Sequence, residues 1–183
     1  MQLPAVQTKF LNLPNSFSLR NGATLDKVCV AYEQYGTLTP EKDNAILLFH
    51  ALSGSQHAYG YNPEVPGTGS LWKPENHEGW WNSIIGPGKP LDTDRFCIIC
   101  ANYLGGCYGT TGPASPSPTD GLPYGSRFPH VEAADQARLQ ALLLDSLGIE
   151  RIHLAGPSVG GLIALSFACQ FPERVRSFIS IGS

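Results

Sequence analysis

The 183-residue sequence contains no apolar run near the ~18–20 residues that a membrane-crossing helix needs. It has no surplus of positive charge either: 12 Lys plus Arg stand against 15 Asp plus Glu, a net charge of -3. A nucleic-acid backbone finds no basic field to hold it, so neither a nucleic acid nor a membrane is expected as a partner. The amino terminus, Met1-Gln2-Leu3-Pro4-Ala5-Val6, lacks the basic stretch and apolar stretch of a secretory signal. Cysteines are few, odd in number and irregularly spaced (Cys29, Cys97, Cys100, Cys107, Cys169). That argues against a disulfide framework and for a reducing, cytoplasmic setting. Cys97 and Cys100 have the spacing of a redox or zinc pair. They lie in Phe96-Cys97-Ile98-Ile99-Cys100-Ala101, which reads as a strand, where side chains three apart face opposite ways. No second Cys or His pair completes a metal site, and no metal is expected.

What the sequence does have is an ordinary globular composition, 42% hydrophobic and 15% charged, at a length suited to one domain or a large piece of one. Short apolar segments alternate with Gly- and Pro-rich loops. Strands are expected over Val28-Cys29-Val30-Ala31-Tyr32, 45–50, 96–101, 151–155 and 178–181, and helices over 131–147 and about 160–170. The runs at 45–50 and 96–101 are nearly unbroken apolar stretches, as in parallel strands covered on both faces. Strand, helix, strand, helix, strand in the second half gives an α/β fold with a mostly parallel sheet. Two long loops, 57–81 and 105–129, are long enough to suggest function.

The strongest local signal is Gly156-Pro157-Ser158-Val159-Gly160-Gly161, which follows a strand and opens a helix. This is the context of the G-x-S-x-G nucleophile elbow. The turn is tight, so small residues must flank the serine at two positions on either side. Ser158 is the candidate nucleophile. The Val159 N–H, at the positive end of the helix, is a candidate oxyanion donor. A second donor is expected from the loop after an earlier strand. Leu47-Leu48-Phe49-His50 runs into Ala51-Leu52-Ser53-Gly54, and the Leu52 N–H is the candidate there. His50 reads as a structural histidine anchoring this loop. His57 reads equally as a solvent-facing loop residue or a substrate contact. Trp72, Trp80 and Trp81, with Tyr59 and Tyr61, read more readily as core than as cleft lining. Asp92 and Asp94 are expected to shape the turn into the strand at 96–101.

Four segments, in order, resemble the homoserine O-acetyltransferase family. They are His50-Ala51-Leu52-Ser53-Gly54; the run from Trp80-Trp81-Asn82 to Asp92-Thr93-Asp94-Arg95; Asn102-Tyr103-Leu104-Gly105-Gly106-Cys107-Tyr108-Gly109-Thr110-Thr111-Gly112-Pro113-Ala114-Ser115; and the elbow. The third string is highly specific. The elbow departs from the family's usual Gly-Gly-Ser-Met-Gly-Gly at Pro157 and Val159 and keeps the glycines. The resemblance implies an α/β-hydrolase fold. It also implies transfer of an acetyl group from acetyl-CoA, a co-substrate and not a bound cofactor, to the hydroxyl of L-homoserine through an acyl-serine, a step of methionine biosynthesis. Ser158 matches the nucleophile, and Leu52 and Val159 match the oxyanion donors. The partners implied are small molecules, with a homodimer in the full-length protein. Relatives of the family use succinyl-CoA, or acylate serine or deacetylcephalosporin C.

The triad order of this fold is Ser, then Asp or Glu, then His. After Ser158 the sequence has no His and no Asp, and its only acid is Glu173. The resemblance then implies that residues 1–183 are the amino-terminal part of the catalytic domain, ending before the family's lid and its catalytic Asp and His. A serine without its base is a poor nucleophile, so the chain by itself is expected to be nearly inactive. The alternatives are a serine esterase of the same fold, or an inactive truncated remnant.

Overall fold

Two short segments, Ala45–Leu48 and Cys97–Ala101, have no polar face to offer water, so they belong in the middle of a sheet covered on both sides. The computed structural model describes residues 3–183 and places them there. In chain order the strands are β1 (Lys9–Asn12), β2 (Phe17–Ser18), β3 (Thr24–Leu25), β4 (Cys29–Tyr35), β5 (Ala45–Leu48), β6 (Ile85–Gly86), β7 (Leu91–Asp92), β8 (Cys97–Ala101), β9 (Ile152–Pro157) and β10 (Val175–Ile181). The two α-helices are α1 (Ala133–Ser146) and α2 (Val159–Gln170). Six strands form one sheet in the order β1-β4-β8-β5-β9-β10, and β2-β3 and β6-β7 are separate two-stranded pairs. Strands β8, β5, β9 and β10 are mutually parallel. Strands β1 and β4 add to the β8 side in antiparallel fashion.

Every expected strand is present, with shifted ends. β5 stops two residues short of His50, β9 runs two residues further to Pro157, and β10 starts at Val175. The fold is therefore the expected α/β arrangement, with an antiparallel margin that the apolar pattern of β4 did not specify. Cys97 and Cys100 diverge as strand geometry requires. Cys97 packs with Leu47, Ile99 and Leu154 on one face, and Cys100 with Ile46, Leu48 and Ile98 on the other. The Asp92 carboxylate accepts from the Gly88 and Asp94 N–H groups at 3.0 Å each, so it shapes the turn before β8.

Helix α1 starts where the Glu132 N–H donates to the Asp135 carboxylate at 3.0 Å. It ends at Gly148, whose φ of +66° turns the chain out of the helix. Its buried Ala137, Leu139, Leu143 and Leu144 pack against the same core as Phe167 of α2. No helix among the described residues is long and apolar enough to cross a membrane.

Among the described residues the sheet ends on β10, which pairs only with β9. Ile179 and Ile181 on this edge strand are exposed, as are Leu162 and Leu165 on α2, which packs against it. Unpaired backbone beside apolar side chains is a template for association. The isolated 183-residue chain is expected to self-associate at micromolar concentration in sedimentation velocity. Ile179→Lys with Ile181→Lys should shift it towards monomer. A monodisperse monomer of the unaltered chain at tens of micromolar would contradict this expectation.

Candidate active site

The parallel strands direct their carboxyl ends to one margin of the sheet, and the singled-out loops gather there. β9 passes into α2 through Ser158 alone, which adopts φ 54° and ψ -132°. A non-glycine residue in this region costs on the order of 1–3 kcal/mol. The surroundings hold it there: the Ser158 N–H donates to the Ile181 carbonyl at 2.9 Å, and the Gly161 N–H donates to the Ser158 carbonyl at 2.9 Å. The flanking glycines are demanded by contact. A Cβ on Gly156 would lie 2.5 Å from the Gly160 backbone, and one on Gly160 would lie 2.4 Å from the Phe49 carbonyl oxygen. The first turn of α2 is thus pressed onto the chain leaving β5. The Ser158 side chain is exposed, and Val159 beside it begins the helix, where N–H groups lack intrahelical partners.

The segment after β5 forms a tight turn in which the Gly54 N–H donates to the Ala51 carbonyl at 2.9 Å. Among the described residues the Leu52 amide makes no backbone hydrogen bond, and its side chain stands 84% exposed. Leu52 and Val159 line one cleft of about 610 Å³, together with His50, Gln136, Ile163 and the glycine-rich segment 103–108. That segment is fixed from two sides. The Gln136 side-chain amide pairs with both the N–H and the carbonyl of Leu104, at 2.9 and 2.8 Å. The Tyr103 ring stacks on His50 at 3.9 Å, and its hydroxyl donates to the His50 carbonyl at 2.6 Å.

None of the histidines hydrogen-bonds Ser158 among the described residues. His50 anchors its loop as expected, its ring Nδ1 lying 2.8 Å from the Ala51 carbonyl oxygen. Burial holds the ring neutral and pushes its pKa down to about 4, against smaller upward pulls from the Ala51 carbonyl and Asn102. His153 lies on β9 with Nδ1 2.8 Å from the Ser177 hydroxyl. His57 overturns both expectations for it. It is neither solvent-facing nor placed to touch substrate, being 1% exposed, with Nδ1 2.7 Å from Glu33 and Nε2 3.0 Å from the His77 carbonyl oxygen. The sequence signal for this pairing was Glu33 itself, an acid inside the otherwise uncharged strand β4. The aromatic residues follow the core reading: Trp72 is buried, and Tyr59, Trp80 and Trp81 pack against the cluster around Tyr35 and Ile98. Tyr61 is the exception and is exposed. Among the described residues no three His, Cys, Asp or Glu side chains gather as a metal would require.

A serine in a strained strand-to-helix turn, next to a cleft lined by the residue that follows it and by a loop after a central strand, is the layout of one large fold family. The family model for the alpha/beta hydrolase fold matches residues 44–183. The chain belongs to the α/β-hydrolase family. It is 48% identical over 180 residues to a homoserine O-acetyltransferase of Deferribacter desulfuricans, covering 97% of this chain and 45% of that protein. Among solved structures, the homoserine O-acetyltransferase of Bacillus anthracis superposes with a TM-score of 0.83 at 34% identity, covering 98% of this chain and 47% of the other. Esterase E22 superposes with a TM-score of 0.82 at 38% identity, covering 96% and 47%. The chain spans about half the length of the relatives it matches.

Two measurements follow from this geometry. Ser158→Gly should relieve the backbone strain and raise the stability of the fold by roughly 1 kcal/mol in denaturant titration; an unchanged or lower stability would deny the strain. His50 titrates near 4 in the fold and near 6.5 unfolded. The unfolded state therefore binds more protons between these values, and stability is lost as pH falls from about 6.5 to about 4. The loss from this group is on the order of 3 kcal/mol, and His50→Asn should flatten the stability profile over that window.

Proposed function

We propose that Ser158 is the nucleophile of an acyl-CoA-dependent O-acyltransferase, with the Leu52 and Val159 N–H groups receiving the oxyanion. The observation that carries this reading is the positive φ of Ser158 at the junction of β9 and α2, with Leu52 and Val159 on one cleft beside it. The similarity to homoserine O-acetyltransferases supports an acetyl donor and homoserine as acceptor; acetyl-CoA is taken as that donor, both substrates being small molecules, with no bound cofactor. Five free cysteines support a reducing, cytoplasmic setting.

In the reaction, the Ser158 hydroxyl oxygen attacks the thioester carbonyl carbon of acetyl-CoA. Its proton passes to a general base, and the developing oxyanion is met by the two amides. Collapse breaks the C–S bond and releases CoA, which leaves with that proton. The acetyl group now sits on Ser158. The homoserine hydroxyl then attacks the acyl carbon, gives its proton through the same base, and leaves as the O-acetyl ester while Ser158 is regenerated. No histidine of this chain hydrogen-bonds Ser158 among the described residues; the chain spans about half the length of the homoserine O-acetyltransferases it resembles, and the base is taken from the part that it does not span. The similarity to esterase E22 favours a second reading, in which water takes the place of homoserine.

The test is CoA release by the protein at its full natural length. Release from acetyl-CoA should depend on added homoserine, and Ser158→Ala should lower it by at least about 10⁴-fold. The 183-residue chain alone should show only trace release. Release that is indifferent to homoserine would establish the esterase reading, and faster release from succinyl-CoA would change the donor. An active 183-residue chain would mean that one of its own residues supplies the base.

A further inference from the structure

Beneath the 51–54 turn lies a wholly buried acid–base pair that the reaction above does not use. The Glu33 carboxylate on β4 and the His57 ring meet at 2.7 Å, and neither side chain has exposed surface. Four partners surround the carboxylate. One oxygen faces the Thr8 hydroxyl at 2.7 Å and the Asn62 side-chain N–H at 2.9 Å. The other faces His57 Nδ1 at 2.7 Å and the Tyr35 hydroxyl at 2.9 Å. Burial pushes the Glu33 carboxyl up, but the bond to His57 and its charge, with Thr8 and Asn62, outweigh it, and the net shift is downward. His57 Nε2 faces a second acceptor, the His77 carbonyl oxygen, at 3.0 Å. Both ring nitrogens of His57 thus face an acceptor.

This node holds the backbone on the far side of the turn. The Tyr35 hydroxyl accepts from the Ala58 N–H at 2.7 Å and lies 2.7 Å from the Gln56 carbonyl oxygen. The Trp80 indole N–H donates to the Ser55 carbonyl at 2.9 Å, and the His57 N–H donates to the Ser55 hydroxyl at 3.1 Å. On the near side, the Phe49 N–H donates to the Ala155 carbonyl at 2.9 Å, and Tyr103 holds the His50 carbonyl. Between the two anchors only residues 51–54 are left, with Leu52 at their exposed tip. A turn this short takes its position from its ends.

We propose that the buried Glu33–His57 pair is the positioning element that sets the Leu52 amide for acyl transfer. This inference rests on the reading of Leu52 as an oxyanion donor. The test uses the full-length protein and the variants His57→Ala, Glu33→Gln and the double Glu33→Gln/His57→Gln. Three quantities are read: thermal unfolding, amide exchange of residues 51–54, and kcat and KM for acetyl-CoA with homoserine. His57→Ala is expected to speed exchange of the Gly54 N–H, which the Ala51 carbonyl holds within 51–54, by tenfold or more. It should lower kcat by about 10–100-fold and leave KM within about twofold, since an oxyanion contact acts in the transition state. The double variant, a neutral pair of similar shape, should recover most of kcat. A folded His57→Ala protein with unchanged kcat, or with unchanged exchange in 51–54, would overturn the proposal. If His57→Ala does not fold, Glu33→Gln is read by the same criteria, and the double variant is read by recovery of kcat and exchange relative to Glu33→Gln. Unfolding of all three makes the pair structural and also overturns it. A wild-type protein without acyl transfer would remove the functional reading, while the exchange measurement still decides whether the pair orders the turn.

Discussion

The contact on which the site depends is the approach of Gly160 to the chain leaving β5. With only hydrogen where a side chain would be, the first turn of α2 rests against the Phe49 and His50 carbonyls. That single close approach joins two loops belonging to different strands. It places the serine-bearing turn and the 51–54 turn at one margin, and it leaves Ser158 no relaxed conformation that would keep both contacts. The positive φ of Ser158 follows from this constraint. β10 contributes as well, because its Ile181 carbonyl takes the Ser158 N–H and prevents the turn from unwinding.

A second constraint acts from below. Polar groups sealed inside a protein must be paired, and Glu33 is an acid in a strand that also buries Val30, Ala31, Tyr32 and Tyr35. Its four partners, Thr8, Tyr35, His57 and Asn62, come from three stretches of chain. Satisfying one carboxylate thus draws the amino-terminal segment, β4 and the long loop after β5 into one arrangement. Buried ion pairs add little net stability compared with apolar packing. The use of such a pair here is to fix position.

Most of the fold could be read from the sequence because its signals were local. The apolar runs of β5 and β8, the helix-forming stretch before Gly148, and glycines on both sides of Ser158 each carry their own physical reason. β1 was not legible: Lys9-Phe10-Leu11-Asn12 has no clear alternation, and its pairing is supplied by β4. His57 was misread for a related reason. Within the sequence it sits in a polar, glycine-rich stretch that looks like a surface loop. Its burial is decided by Glu33, 24 positions earlier, and by the His77 carbonyl, 20 positions later. Gln136 was overlooked in the same way, because a glutamine on a helix gives no sign that its amide will hold the backbone of Leu104.

These features have a common energetic direction. Ser158 sits in an unfavourable backbone region, His50 is held neutral in a buried site, and the Leu52 amide lacks a backbone partner. The first two cost stability, and His50, Leu52 and Val159, the neighbour of Ser158, line the one cleft. The compensation lies a few residues away, where β5 and β8 are buried along their whole length and α1 and α2 pack on the same core. Rigid strands end at the margin where the strained residues begin, so the strain cannot relax by moving the scaffold. It is held at the serine and at the amides beside it, where acyl transfer needs groups fixed in advance and not recruited during the reaction.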